Sequence, residues 1–434
     1  MRVAQARVDV TGPTELLNFI PVRTTATDST WGSFIPGVAE PDPAAYGNRA
    51  ARKGGRYNAF VPPNIADYPF TLSSATAGEV EVGAAALKQL QDLHLASGLH
   101  SLAETLLRSE SVASSRIEGL DMTHARLARA RYGDGREDKK AREVMANIDA
   151  MRRAIELGAS AGSLGVDAIC DIHRALIRDE TLRGKPYAGQ IREEQSWIGG
   201  NDRNPVGAIF VPPPPEHVRP LFNDLERFIA RQDLDPLSQA AIAHAQFETI
   251  HPFLDGNGRV GRALVYAILR RRGLLGDYIP PISLVLNAAP RNYTSSLAAY
   301  QRRTSTSQHP AELIVQTFSQ AADIASREAA VLRDDVGTLQ GRWRESLEGL
   351  RSDAAAWKLV NELPGRPVLT APSVRELLGI SAPAAGRALD QLEERSIIKR
   401  LNERKWGRAW EAAELLDLVE AFERRVGGGR AARS

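Results

Sequence analysis

Twelve residues, His251 to Arg262 (HPFLDGNGRVGR), set the strongest limit on how this chain can fold. Upstream, Ser238 to Ile250 (SQAAIAHAQFETI) carries apolar residues at helical spacing with no internal Gly or Pro, and reads as a helix. Downstream, Arg259 to Arg271 (RVGRALVYAILRR) reads as another. Between them, Gly256, Asn257 and Gly258 supply a turn in which positive φ costs little. The order is therefore helix, tight turn, helix, with the turn opening onto the second helix's N-terminus. Backbone N–H groups gathered there form an anion-binding concavity. Arg259 and Arg262 are three residues apart, share a helix face, and can lean toward the same anion. Their guanidinium forks match phosphate oxygens. Asp255 suits a hydrated Mg2+, which binds through one or two carboxylates plus substrate phosphates. His251 can take a proton near neutral pH. Singly, each has a bland explanation: a capped helix end, a turn, solvated arginines. Together in one short run they make a site for displacement at a phosphate.

The run resembles the signature of the Fic (Fic/Doc) family, HxFx(D/E)GNGRxxR, at every specified position. Ser111 to Gly119 (SVASSRIEG) resembles the family's inhibitory motif, a Ser/Thr, three residues, then Glu-Gly or Glu-Asn. Ser196 to Pro215 (SWIGGNDRNPVGAIFVPPPP) resembles the flap that precedes the active helix, and Arg291 to Leu297 (RNYTSSL) the downstream nucleotide-pocket segment. The resemblance covers about residues 65 to 330, and the signature is its most specific part. It implies a protein adenylyltransferase: AMP moves from ATP to a Ser, Thr or Tyr hydroxyl of a target protein. It also implies roles. His251 would be the base, and Asp255 would hold Mg2+ against the α- and β-phosphates. Gly256, Asn257 and Gly258 would cradle phosphate oxygens, with Asn257 directed at the α-phosphate. Arg259 would stabilise the phosphates and Arg262 would grip the γ-phosphate. Tyr293 is expected to contact the adenine and Arg192 to brace the flap, while Phe253 is expected to bury its ring beneath the loop. Other nucleotides, and removal of AMP, stay open within the family.

The inhibitory motif lies in a run of helical periodicity, Leu99 to Leu120, with Gly119 as its stop. Ser114 and Glu118 are four apart and share a face. Alone, Glu118 is an ordinary solvated helix acid. Beside the signature, the resemblance implies that it pairs with Arg262 and blocks the γ-phosphate. Displacing such a partner costs a few kcal/mol. The flap run Gly207, Ala208, Ile209, Phe210, Val211 is β-prone and is closed by Pro212 to Pro215, which confines it to an edge. An exposed edge can pair with an extended target peptide.

The chain has 434 residues, more than one typical domain. The expected fold class is mainly α: a helical core with a short β-hairpin flap, then a small winged helix-turn-helix unit. The expected divisions are a partly extended segment 1–64, a helical region 65–195 holding the inhibitory helix, a core 196–335, and a C-terminal unit 336–434. Tyr57 to Phe70 is Pro-rich and is expected to run over the surface. A net charge of +2 leaves no global nucleic-acid footprint. In the C-terminal unit, Arg395, Lys399, Arg400, Arg404, Lys405 and Arg408 form a basic stretch whose tip also holds Asn402. Its candidate recognition helix offers only Arg387 early for base readout. Protein docking or dimer support is therefore expected there in preference to DNA binding. A nucleotide-sensing DNA-binding regulator is the competing class, but a sensor would not need the base His251. Cys170 is the single cysteine and is expected in the core, which suits a reducing cytoplasm. No run approaches the ~20 apolar residues of a membrane span, and the first residues lack a signal-peptide apolar core.

Overall fold

The computed structural model describes residues 31–41, 52–97, 100–130, 138–178, 181–182, 185–301, 309–401 and 407–428. The described chain is mostly helical with small antiparallel sheets. An N-terminal hairpin, β1 (Ser33–Ala39) and β2 (Gly55–Val61), is followed by α1 (Ser74–Ser97), α2 (Leu102–Ile117), α3 (His124–Ala130), α4 (Lys139–Ala159) and α5 (Val166–Ile177). A two-residue ladder, β3 (Thr181–Leu182) with β4 (Lys185–Pro186), leads to α6 (Pro215–Ile229), α7 (Pro236–Ile250), α8 (Asn257–Arg271), α9 (Ile282–Ala288), α10 (Pro290–Tyr300) and the 35-residue α11 (Glu312–Ser346).

The two helices read from the sequence are α7 and α8. α7 begins two residues earlier than Ser238, because Asp235 accepts from Leu237 N and Ser238 N and Pro236 takes the first helical position. Every residue from Leu237 to Ile250 is buried, so α7 is the central rod of the core. α8 packs against it on one side and against α4 on the other, while α1 runs along α11. Gly158 of α4 allows the close approach to α8, since a β-carbon there would meet Ala267 O at 2.5 Å.

The segment Tyr57–Phe70 does not run over the surface. Phe60, Ile65 and Ala66 are buried, and Asp224 of α6 accepts from the backbone N–H groups of Ile65 and Ala66. Trp31 Nε1 donates to Tyr300 O at 2.7 Å and Gln246 donates to Pro63 O. The prolines here shape a path inward, where polar side chains of α6 and α7 satisfy the backbone that an irregular segment exposes.

The C-terminal elements are α12 (Ala355–Glu362), β5 (Val368–Thr370), α13 (Ala371–Leu378), α14 (Ala382–Glu394), β6 (Lys399–Arg400), β7 (Ala409–Glu411) and α15 (Ala413–Gly428), with antiparallel strand order β5-β7-β6. Thr370 and Ser373 form a capping box at α13, Gly379 stops it with φ 63°, and Ser381 caps α14. Leu389 and Leu392 face inward. The division expected at residue 335 falls inside α11, which continues unbroken to Ser346. Asn402, Arg404 and Lys405 lie outside the described residues.

Candidate active site

The loop between α7 and α8 is built from two left-handed residues. His251 closes α7 with φ 50° and Gly256 opens α8 with φ 78°. At Gly256 a side chain is excluded twice, by the backbone and by Leu176, whose Cδ2 would lie 2.8 Å from a β-carbon. At His251 the conformation costs roughly 1–2 kcal/mol. Arg192 offsets that cost. Its Nε donates to His251 O (2.8 Å), Nη2 to Pro213 O (2.6 Å) and Ile250 O (3.3 Å), Nη1 to Glu194 O, and its own N–H to Pro252 O. One buried guanidinium thus ties the end of α7 to the end of the flap. Burial pulls Arg192 down to about 10. Burial, together with the Arg192 charge, pulls His251 down to about 4. At neutral pH the imidazole is therefore an uncharged base.

Beneath the loop, Phe253 is fully buried and stacked on His173, with centroids 3.9 Å apart. Sequence reasoning missed His173. Gly189 N–H donates to its Nδ1, so Nε2 carries the proton and donates to Asp255 O at 3.0 Å. Burial holds this ring neutral as well, near 4. Asn257 has a role inside the loop. Its side chain is buried and bonded at both ends to Phe253, accepting from N (2.9 Å) and donating to O (2.8 Å). It braces the loop. Asp255 is half exposed. Its Oδ1 accepts from Gly256 N, and Oδ2 stands 3.7 Å from Arg259. Arg259 is buried, with Nε unpartnered among the described residues.

Arg262 is 2% exposed and is held by α2. Its Nε donates to Ser114 Oγ (2.9 Å), and its Nη2 donates to Ser114 O (2.9 Å) and Glu118 Oε1 (2.8 Å). Glu118 sits at the C-cap of α2, and Gly119, with φ 80°, ends the helix. Burial would raise the Glu118 carboxyl, but Arg262, Arg259 and the His251 ring hold it below its ordinary value. A β-carbon on Gly258 would collide with Glu118 Oε1 and lie 3.0 Å from Arg262 Nη1. The carboxylate therefore stands directly over the Gly-Asn-Gly turn, in the concavity at the N-terminus of α8.

Behind Arg262 lies a polar layer that sequence reasoning did not single out. Glu248 of α7 is 8% exposed and its Oε1 has no hydrogen-bond partner among the described residues. Burial, reinforced by the Glu118 charge and opposed by Arg262, pushes it up to about 8. His244, one turn earlier, bonds Tyr293 Oη through Nε2 (2.8 Å). Tyr293, expected against the adenine, is buried between His244 and Phe318, which makes it part of the wall behind Arg262.

The flap is less regular than its β-prone sequence suggests. Ile198 and Phe210 form a single antiparallel bridge; Ile198 N donates to Phe210 O and Ile209 N to Ile198 O. Val211 is buried, its carbonyl accepting from Phe60 N of β2. Gly207 is exposed, Ala208 and Phe210 half-buried, and Ile209 is 77% exposed. The prolines from Pro212 onward end the pairing.

The stretch that carries this site is similar to known proteins. Residues 163–269 match the Fic/DOC family and residues 81–156 match the Fic/DOC family N-terminal region. Over these two stretches the chain is similar to Fic/DOC family proteins. Protein adenylyltransferase fic-1 of Caenorhabditis elegans is 29% identical over 189 residues, 41% of this chain and 34% of that protein. A probable protein adenylyltransferase of Aquifex aeolicus is 47% identical over 91 residues, 19% of this chain and 28% of that protein. The chain thus spans about a third of the length of the curated relatives it matches. Among solved structures, a Fic family protein from Desulfovibrio desulfuricans is 23% identical, with 79% of this chain and 97% of that chain covered at a TM-score of 0.49.

Proposed function

We propose that this chain transfers AMP from ATP to a hydroxyl of a protein target, and that its own α2 holds the site shut. The observation that carries this reading is the position of the Glu118 carboxylate, over Gly258 and on Arg262, where the anion concavity at the N-terminus of α8 opens. A site shaped for a carboxylate there is shaped for a phosphate oxygen.

The residues divide the work. His251 is neutral at pH 7, and its Nδ1 is buried, so Nε2 is the nitrogen that takes the proton of an incoming hydroxyl. The resulting oxygen attacks the α-phosphorus, the bond from that phosphorus to the bridging oxygen breaks, and pyrophosphate leaves. The free N–H groups at the start of α8 and the Arg259 guanidinium face the charge that develops. Arg262, once released by Glu118, holds the far end of the triphosphate and sets the α-phosphorus in line. Asp255 fits Mg2+ only in company with phosphates, because among the described residues no group of three or more His, Cys, Asp or Glu could hold a metal. When bound, the metal would neutralise phosphate charge. The Ile198–Phe210 flap, joined to the His251 loop through Arg192, is the proposed edge for the target segment. The names of the relatives matched above support the AMP donor.

The test is intact mass after incubation of wild type, Glu118→Gly and His251→Ala with ATP and Mg2+. A gain of AMP in Glu118→Gly that is absent in His251→Ala is the expected result. No gain in Glu118→Gly would remove the transfer reading.

A further inference from the structure

α2 is anchored along its length by the C-terminal elements. Three donors on one side of the helix, Ser101, Thr105 and Arg108, meet carbonyls of the end of α12 and of the turn that leads to β5. Ser101 Oγ donates to Asn361 O (2.7 Å), Thr105 Oγ1 to Pro364 O, and Arg108 Nη1 to Gly365 O (2.9 Å). The spacing 101, 105, 108 repeats every turn, so all three point the same way. The turn fits tightly, since a β-carbon on Gly365 would meet Ser101 O at 2.5 Å. A second face meets α15: Ser109 Oγ donates to Glu423 Oε1 (3.3 Å), and Arg116 Nη2 stands 3.8 Å from Glu423 Oε2. Glu423 is itself 8% exposed. Just beyond α2, Arg129 of α3 forks onto Glu411 of β7 at 2.6 and 3.1 Å.

The third face carries the inhibitory contacts, Ser114 and Glu118 on Arg262, preceded one turn earlier by Glu110 on Ser283 of α9. One of the bonds from Arg262 is accepted by the Ser114 carbonyl, in the last turn of the helix. Rotating the Glu118 side chain cannot withdraw that carbonyl, so freeing Arg262 from every α2 contact also needs the C-terminal end of α2 to shift. The Glu423 contact to Arg116 resists that shift directly, and the contacts of Asn361, Pro364 and Gly365 hold the helix behind it.

We propose that the C-terminal unit, residues 355–428, is a latch on the inhibitory helix, so that whatever displaces this unit frees Arg262. The proposal rests on the reading of Glu118 as inhibitor and adds the element that controls it. It also gives the unit a role that needs no base-reading side chains on α14. Coupling runs through one rigid helix with contacts at both ends, which is the physical link that two communicating sites require.

The test uses the full chain with Arg108→Ala, Arg129→Ala, Glu423→Gln and the triple variant, beside Glu118→Gly. AMP incorporation, backbone amide exchange over residues 102–117 and thermal midpoint are measured together. Arg129 is half exposed, so its replacement keeps the core intact. The latch predicts roughly tenfold more labelling in the triple variant, a coupling within the usual range between sites. It also predicts faster exchange confined to α2, and no further gain when the triple variant is added to Glu118→Gly. Activation by Glu118→Gly with an unchanged triple variant would overturn the latch and leave the inhibitory reading standing. Failure of Glu118→Gly itself would remove the reading beneath, and the latch with it.

Discussion

Glu118 and Arg262 stand 144 residues apart in the chain and 2.8 Å apart in space, with the arginine 2% exposed and the acid 35% exposed. The asymmetry matters. The buried partner cannot leave the pair without another anion to meet, whereas the acid can turn to solvent. A triphosphate that supplies that anion competes with Glu118 for the charge of Arg262, and removing the acid should help it.

Ser114→Ala should loosen the same pair without touching its charges. It removes the acceptor of Arg262 Nε and leaves a buried donor unmet. A net loss of about 1 kcal/mol in the closed state predicts several-fold more AMP incorporation than wild type, and less than Glu118→Gly. Labelling equal to wild type would assign the hold on Arg262 to Glu118 and the Ser114 carbonyl only.

Arg192→Lys should damage both the loop and the flap. A lysine cannot reach the carbonyls of Glu194, Pro213, Ile250 and His251 together, and buried acceptors would be left bare. The expected loss is roughly 3 kcal/mol of stability, read as a lower denaturant midpoint. In a Glu118→Gly background, kcat should fall more than ATP affinity, because the base moves while the start of α8 stays.

Stability should decline as pH rises from about 6.5 to 8.5. Burial pushes Glu248 up to about 8, and Glu110 and Glu423 up to about 7. For each of these acids the folded state binds the proton more tightly than the unfolded state, so stability is present at low pH and is lost as pH rises through the folded value. Four buried histidines work the other way. His124 and His244 are lowered by burial to about 3, and His173 and His251 to about 4. Their contribution is complete above the ordinary histidine value and is lost as pH falls below it. Above pH 6.5 only the acids act, each on the order of 1 kcal/mol. Glu248→Gln should therefore flatten the alkaline side of a melting-temperature profile; an unaltered slope would show that Glu248 ionises freely.

Ile209→Asp should separate docking from chemistry. The side chain is 77% exposed, so stability should change by less than about 0.5 kcal/mol. In a Glu118→Gly background, labelling of other proteins should fall while ATP affinity holds. Undiminished labelling would take the target off the flap.

The site was legible in the sequence where its logic is local. The positive-φ turn at Gly256, the start of α8, the shared face of Arg259 and Arg262, and the Ser114–Glu118 spacing all follow from residues within two turns of each other. What stayed hidden depends on distant partners. Nothing near Arg192 says that its guanidinium will meet the carbonyls of Pro213, Ile250 and His251. Asn257 reads as a ligand by its place in the turn, and the sequence does not tell that its amide also bonds Phe253 four residues back. A polar residue in a glycine turn satisfies the loop before it serves a guest. The buried serines of α2 look like a solvent face in sequence. In space Ser111 and Ser115 return their hydroxyls to their own helix, and Asn147 of α4 covers them. The inward path of Tyr57–Phe70 was hidden for the same reason, since its backbone is met by Asp224 and Gln246 from elsewhere in the chain.

The Arg192 staple has a consequence for how such a protein can change over generations. It grips the flap and the base loop through main-chain carbonyls, which every residue type possesses. An exposed flap side chain such as Ile209 can therefore change without moving the imidazole. Under the proposed function, choice of target and chemistry are thus separable, so the outer face of the flap can vary while the base loop stays fixed.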